Sequence, residues 1–170
     1  DHGHFIGQHG LVAKGPFHYE DVIRVPFLAA FGDRFSPGSQ STDIQSLVDL
    51  APTFLDAAGL GHTPIAMQGV SQLGAWAGSA PAGRDHAIVE NHHQVGPEVH
   101  LRTIVTDQHK LTVYRGRDWG ELFDLDDDPG ELRNRFDDAD YHGVRAELME
   151  RLVQAALARE PAAQLRVSGA

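Results

Sequence analysis

Three stretches in the second half of the chain alternate apolar and polar residues and lie almost end to end. They run from Leu101 to Thr106 (LRTIVT), from Lys110 to Tyr114 (KLTVY) and from Glu121 to Leu125 (ELFDL). Period-two alternation sends successive side chains to opposite faces, so each stretch has one apolar face. The links are Asp107-Gln108-His109 and a turn over Gly116 to Gly120. Links this short join antiparallel strands; a parallel pair needs a long crossover. An antiparallel meander is therefore expected, with a hairpin between its first two strands. Its apolar face has to be covered. Val144, Leu148, Leu152, Ala155 and Ala156 recur at helical spacing. They predict an amphipathic helix over about 141–159 that packs on the meander. Residues 87–90 (AIVE) read as a further strand, and Asp128-Pro129-Gly130 as a turn.

The first half carries weaker signals. Residues 1–15, rich in Gly and His, read as a loop. Residues 19–24 form at most one helical turn, ended by Pro26. The apolar run 25–31 (VPFLAAF) reads as a buried strand, and 32–42 as a polar loop. Asp49 is expected as an N-cap with Pro52 in the first turn of the helix. Leu50, Phe54, Leu55 and Ala58 would share its apolar face, with Gly59 just past its end. Leu73 and Trp76 are expected to anchor 59–84. A domain boundary near Pro81 divides the chain into 1–80 and 81–170. The last ten residues are expected to fray. No internal repeat is visible.

The chain has 170 residues, a net charge of -10, 41% hydrophobic and 22% charged residues. That is enough for a real core and an ordinary globular balance. The acidity argues against nucleic-acid and membrane-surface partners, both of which would repel it. There is no cysteine, so thiols say nothing of redox compartment. There is no long apolar run and no secretory signal. Because the first residue already belongs to a motif, a leader lost with a missing N-terminal part stays open, and localisation is left unassigned.

The residues that carry chemistry stand first. Asp1 and His2 offer a carboxylate and an imidazole, ligand types for a divalent cation, and Gly3 follows. Lys14 is a point charge suited to an anionic oxygen. From residue types alone, a capped turn and a solvated surface lysine are the preferred readings. His4, His9 and His18 match no standard zinc spacing and read as loop hydrogen-bonding groups. His92-His93 reads as a surface pair. Asp124, Asp126, Asp127 and Asp128 lack EF-hand spacing and read as a solvated turn. Glu90, Arg102 and Lys110 are expected to pair across the small sheet.

Taken together, the segment Asp1-His2-Gly3, Gly7-Gln8-His9-Gly10-Leu11, Lys14-Gly15, Tyr19-Glu20 and Arg24-Val25-Pro26 closely resembles the C-terminal signature of the sulfatase family, in the alkaline-phosphatase-like superfamily. His4 and Gln8 stand where that family usually carries acids. Residues 48–59 (VDLAPTFLDAAG), Gly69 to Leu73, 102–111 (RTIVTDQHKL) and 121–131 with Asn134 resemble later landmarks of the family in the same order. The resemblance covers residues 1 to about 155, and only the last third or so of the family. It implies an α/β fold: the C-terminal portion of an alkaline-phosphatase-like sheet domain (1–80, with a metal and anion loop at 1–15), then a small antiparallel sheet packed by a C-terminal helix (81–170). It implies that Asp1 and His2 ligate a divalent metal, calcium in the first instance with manganese, magnesium or zinc possible, and that Lys14 reaches the sulfate oxygens. It implies a formylglycine nucleophile upstream, outside these residues, so the chain alone is expected to be inactive. The expected partner is a small-molecule sulfate or phosphate ester. A phosphonate monoester or phosphodiester hydrolase, and a non-catalytic binding or assembly module, are the alternatives. Segments like 90–100 line the substrate mouth in the family, which makes His92, His93 and His100 specificity candidates.

Overall fold

A computed structural model describes residues 1–61, 67–93 and 98–159. The chain begins with a minimal hairpin, β1 (Phe5–Ile6) and β2 (Val12–Ala13), followed by a one-turn helix α1 (Glu20–Ile23). Helices α2 (Leu50–Ala57) and α3 (Leu73–Trp76) come next. Four strands follow: β3 (Ala87–His93), β4 (Val99–Val105), β5 (His109–Tyr114) and β6 (Gly120–Asp124). Helix α4 (His142–Ala158) closes the described residues.

The four strands form one antiparallel meander in the order β3-β4-β5-β6. Ile104 pairs with Leu111, and Leu111 with Leu122. These three side chains stand on one face and are fully buried. Leu148 and Leu152 of α4 cover them, with Ile88, Val113 and Val144 at the edges. The meander and its covering helix are thus those expected from the alternating and helical spacings. Glu90 and Arg102 pair across β3 and β4 at 2.6 Å, as expected. At Gly120 a Cβ would sit 2.4 Å from the Phe136 ring, so β6 must start with glycine for the 134–136 segment to close over it.

Besides the two-residue strands β1 and β2 within the expected loop 1–15, the first half departs from expectation at two places. Residues 25–31 form no strand; Leu28 is 97% exposed, and Phe31 makes only an isolated bridge to Asp33. A buried strand needs a neighbour for its backbone groups, and the described residues supply none. Phe27 packs instead on Trp76, which also meets Phe35.

The second concerns α2. Asp49 makes no capping hydrogen bond. A 3₁₀ turn over Leu47–Asp49 already leads into the helix, so the Asp49 backbone is itself helical. Its buried carboxylate instead receives the Arg84 guanidinium, the Val70 N–H at 2.9 Å and the Gln72 amide. Nor is the inward face of α2 the apolar one: Phe54 is 63% exposed, while Thr53 is buried. The Thr53 hydroxyl donates to the Asp49 carbonyl and accepts from the Gln72 N–H. A buried carboxylate draws polar groups inward, and Phe54 turns out while Leu50 and Leu55 stay half-buried. The helix end follows expectation: Gly59 is left-handed (φ +70), and the N–H groups of Gly59 and Leu60 bond back to Asp56 and Leu55. The frayed tail expected over the last ten residues lies outside the described ones.

Candidate functional site

The loop that carries Asp1, His2 and Lys14 is organised by its glycines and by Phe5, the one buried side chain of its hairpin. The register sets Phe5 opposite Ala13. At Lys14 the chain has therefore returned to the end of the hairpin from which residues 1–4 lead in. Gly3 lies against α1: its N–H donates to the Val22 carbonyl at 2.7 Å, and a Cβ there would lie 1.9 Å from the Asp21 carbonyl oxygen. Only glycine allows that approach, which fixes where Asp1 and His2 stand. His9 has a left-handed backbone (φ 53) and stacks on Tyr19 at 3.8 Å.

Asp1 and His2 are brought together. The His2 Nε2 lies 3.8 Å from the Asp1 Oδ1, and the Asp1 carboxylate is 87% exposed. The His2 Nδ1 hydrogen-bonds the Gly3 carbonyl at 2.8 Å, so Nδ1 is the donor and Nε2 keeps its lone pair free. Two ligands at about 2.4 Å from one cation and at roughly right angles stand about 3.4–3.8 Å apart, so this pair has a workable bite. Two donors are few for a hard cation. Among the described residues no group of three or more His, Asp or Glu side chains could complete the shell. Lys14 is exposed between two left-handed residues, Ala13 (φ 67) and Gly15 (φ 60). Positive φ in a non-glycine residue costs of the order of 1–3 kcal/mol. The loop carries two such residues, His9 within the turn and Ala13 at the end of β2.

From Pro16 onward the loop is pinned across the uncovered face of the meander. The Asn91 amide donates to the Pro16 carbonyl. His18 shares a hydrogen bond with the Thr103 hydroxyl, which meets that of Thr112. Tyr19 donates to Glu121, as does Tyr114. The Lys110 Nζ donates to the His18 carbonyl at 2.8 Å and contacts the carboxylates of Glu20 and Glu131. Glu131 in turn accepts the Glu20 N–H at 2.7 Å. Lys110 and Glu131 are both buried. Lys110 therefore does not join Glu90 and Arg102 in a cross-strand pair; Phe123, its partner on β6, offers no charge, so it turns to the loop. Burial pushes the Glu131 carboxyl up, against the pull of the Lys110 ammonium. Burial, and after it the charge of Lys110, depresses His18 from 6.5 to about 4.

That depression makes the anchoring of the loop sensitive to acid. The unfolded chain protonates His18 near pH 6.5, the folded one only near 4, so between them the unfolded state binds more protons. Stability from His18 is whole above pH 6.5 and falls as the pH drops towards 4. At pH 5 the loss is expected to be about 2 kcal/mol. Denaturant midpoints at pH 7.5 and pH 5 should differ more for the native chain than for His18→Gln; equal differences would show that His18 does not carry the effect.

Three further histidines gather at the end of the meander. His92 stacks on His100 across the β3–β4 ladder at 4.8 Å and bonds Glu98 at 3.0 Å. The strand alternation places His93 on the opposite face, with Asn91. The acidic run is less solvated than its sequence implies. Asp124 accepts from the Tyr141 hydroxyl and from the N–H groups of Asp126 and Asp127, and Asp128 is buried on the Arg133 N–H.

The chain belongs to the N-sulphoglucosamine sulphohydrolase C-terminal family, whose model matches residues 7–158. That match includes Lys14 and begins after Asp1 and His2. The chain is 34% identical over 158 residues to an N-acetylglucosamine-6-O-sulfatase of Bacteroides thetaiotaomicron, covering 89% of this chain and 28% of that protein. It is 30% identical to a Delta 4,5-hexuronate-2-O-sulfatase of the same organism, covering 86% and 31%. It thus spans less than a third of these relatives. Among solved structures, one in complex with its substrate D-glucosamine-2-N,6-O-disulfate superposes with a TM-score of 0.82 at 30% identity, over 96% of this chain and 35% of that one. A phosphonate monoester hydrolase of Agrobacterium radiobacter superposes with a TM-score of 0.75 at 28% identity, over 92% and 34%.

Proposed function

We propose that the chain supplies part of the active centre of a metal-dependent sulfuric ester hydrolase acting on a sulfated sugar. The likeness to the N-acetylglucosamine-6-O-sulfatase over 89% of the chain carries this reading. Asp1 and His2 hold a divalent cation, calcium in the first instance, through the Asp1 carboxylate and the free His2 Nε2. The cation, when bound, supplies positive charge against the ester oxygens. Lys14 places its ammonium on a sulfate oxygen and stabilises charge that develops as the ester bond breaks. Gly3 keeps the pair against α1, and the contacts of His18, Tyr19 and Glu20 with the meander hold the segment that leads away from Lys14. The nucleophile, a formylglycine on this reading, and the remaining ligands come from outside these residues.

Hydrolysis of a phosphonate monoester is the second reading, favoured by the likeness to the Agrobacterium radiobacter enzyme. Assay of the intact enzyme on an aryl sulfate and an aryl phosphonate separates the two. In that enzyme, Asp1→Ala is expected to lower metal content in elemental analysis. Lys14→Ala is expected to leave metal in place and cut turnover by about 10²-fold or more, the scale of losing one preorganised stabilising group. Full metal and full turnover in both variants would sink the assignment.

A further inference from the structure

The turn between β5 and β6 carries Arg115, Arg117 and Trp119, and the described ion pairs involve neither guanidinium; they engage Arg84, Arg102, Arg133, Arg135, Arg145 and Arg151 instead. In a chain of net charge -10, two arginines side by side outnumber the one acid of the cavity they line, Glu98, whose carboxyl is held low first by His92 and also by the charge of Arg115. Both line a cavity of about 150 Å³, together with Trp119, Tyr114, His100 and Glu98. Asp118, in the same turn, does not line it.

The cavity has parts suited to a sugar ring as well as an anion. Trp119 is about half exposed and lies 4.5 Å from the Tyr114 ring, tilted by 38°. The Tyr114 hydroxyl is engaged by Glu121, so what Tyr114 offers the cavity is its ring. An aromatic face carries negative charge density and attracts the polarised C–H groups of a pyranose. His100 lends the cavity its ring, which stacks on His92 at 4.8 Å. Glu98 is fixed at the rim by His92 at 3.0 Å and can accept from a ligand hydroxyl. At about 150 Å³ the cavity is well below the roughly 300 Å³ at which drug-sized sites begin, so it takes one ring and not a chain.

We infer that this cavity is a subsite for one anionic sugar residue, its sulfate or carboxylate held by Arg115 and Arg117 and its ring lying on Trp119. The inference rests on the proposal that the substrate is a sulfated sugar, and it deepens that proposal by giving the chain a second contact with the saccharide, apart from Lys14.

The test is binding to the 170-residue chain, followed by calorimetry. The probes are a sulfated heparin-derived disaccharide, its desulfated counterpart and sodium sulfate. The sulfated disaccharide is expected to bind saturably, with the desulfated one and sulfate each at least about tenfold weaker. Arg115→Ala/Arg117→Ala should weaken binding by about tenfold or more, through loss of charge-assisted hydrogen bonds. Trp119→Ala should weaken it by about threefold to tenfold, through loss of the aromatic face. These three side chains are exposed, and unchanged far-ultraviolet circular dichroism would confirm that the variants fold. Arg133→Ala, which removes an exposed arginine outside the cavity, should bind as the native chain does. If Lys14→Ala abolishes binding while the double arginine variant keeps it, the sugar sits at Lys14 and the subsite is wrong. Absence of saturable binding, or sulfate binding as tightly as the disaccharide, would equally overturn it.

Discussion

A chain ended at Asp140 is expected to lose the folded meander. Ile104, Leu111 and Leu122 are fully buried, and Leu148 and Leu152 of α4 are among the residues that cover them. Removing α4 puts the three sheet residues into water and forfeits the burial of the two leucines. Each such side chain is worth about 1.5–3 kcal/mol when buried. Five of them sum to about 10 kcal/mol, comparable to the whole stability of a typical domain, about 5–15 kcal/mol. The uncovered face would also be a continuous apolar strip, which favours association. Expression of the truncated chain should yield aggregate, or a monomer with no cooperative thermal transition. A soluble truncation that melts cooperatively would show that the meander does not depend on α4.

The meander and α4 were legible because their signals are periodic and local: alternation sets a strand's faces, short links set its direction, and helical spacing places the cover. The close approach at Gly3 is written in its motif, although the reason is visible only where the Asp21 carbonyl occupies the place of a Cβ. What could not be read are the buried charges. Asp49 looks like a helix cap in sequence, and its partner Arg84 is far along the chain. Lys110 stands on the polar face of its alternating strand, opposite Leu111 and Val113, so the pattern marks it as solvent-facing. Its partners Glu20 and Glu131 approach it only because the loop crosses the sheet. The 25–31 run misled for the converse reason. Hydrophobicity states that a segment can be buried, whereas a strand also needs a neighbour for its backbone.

The same buried charges set the second expectation, that Lys110→Met will be among the most damaging single changes in the chain. Its ammonium compensates Glu131, buried beside it, and contacts Glu20 at 3.3 Å. Met fills most of the volume of the lysine stem but leaves the Glu131 carboxylate buried without a counter-charge. Removing one partner of a buried pair costs about 3–5 kcal/mol, chiefly through the stranded charge. Adding Glu131→Gln removes that charge while an amide oxygen can still accept the Glu20 N–H. The double variant is therefore expected to recover a large part of the loss, a coupling of roughly 2 kcal/mol or more between two side chains in contact. Denaturant unfolding of the two single variants and the double variant measures it. The reach extends beyond stability, because Lys110 also holds the His18 carbonyl, four residues from Lys14. If the pair acts as the clamp of this loop, limited proteolysis of Lys110→Met should cut first within residues 10–20. A loss below about 1 kcal/mol in Lys110→Met, or additive effects in the double variant, would mean that Glu131 is already neutral in the fold and that the loop is held by the His18 and Tyr19 hydrogen bonds alone.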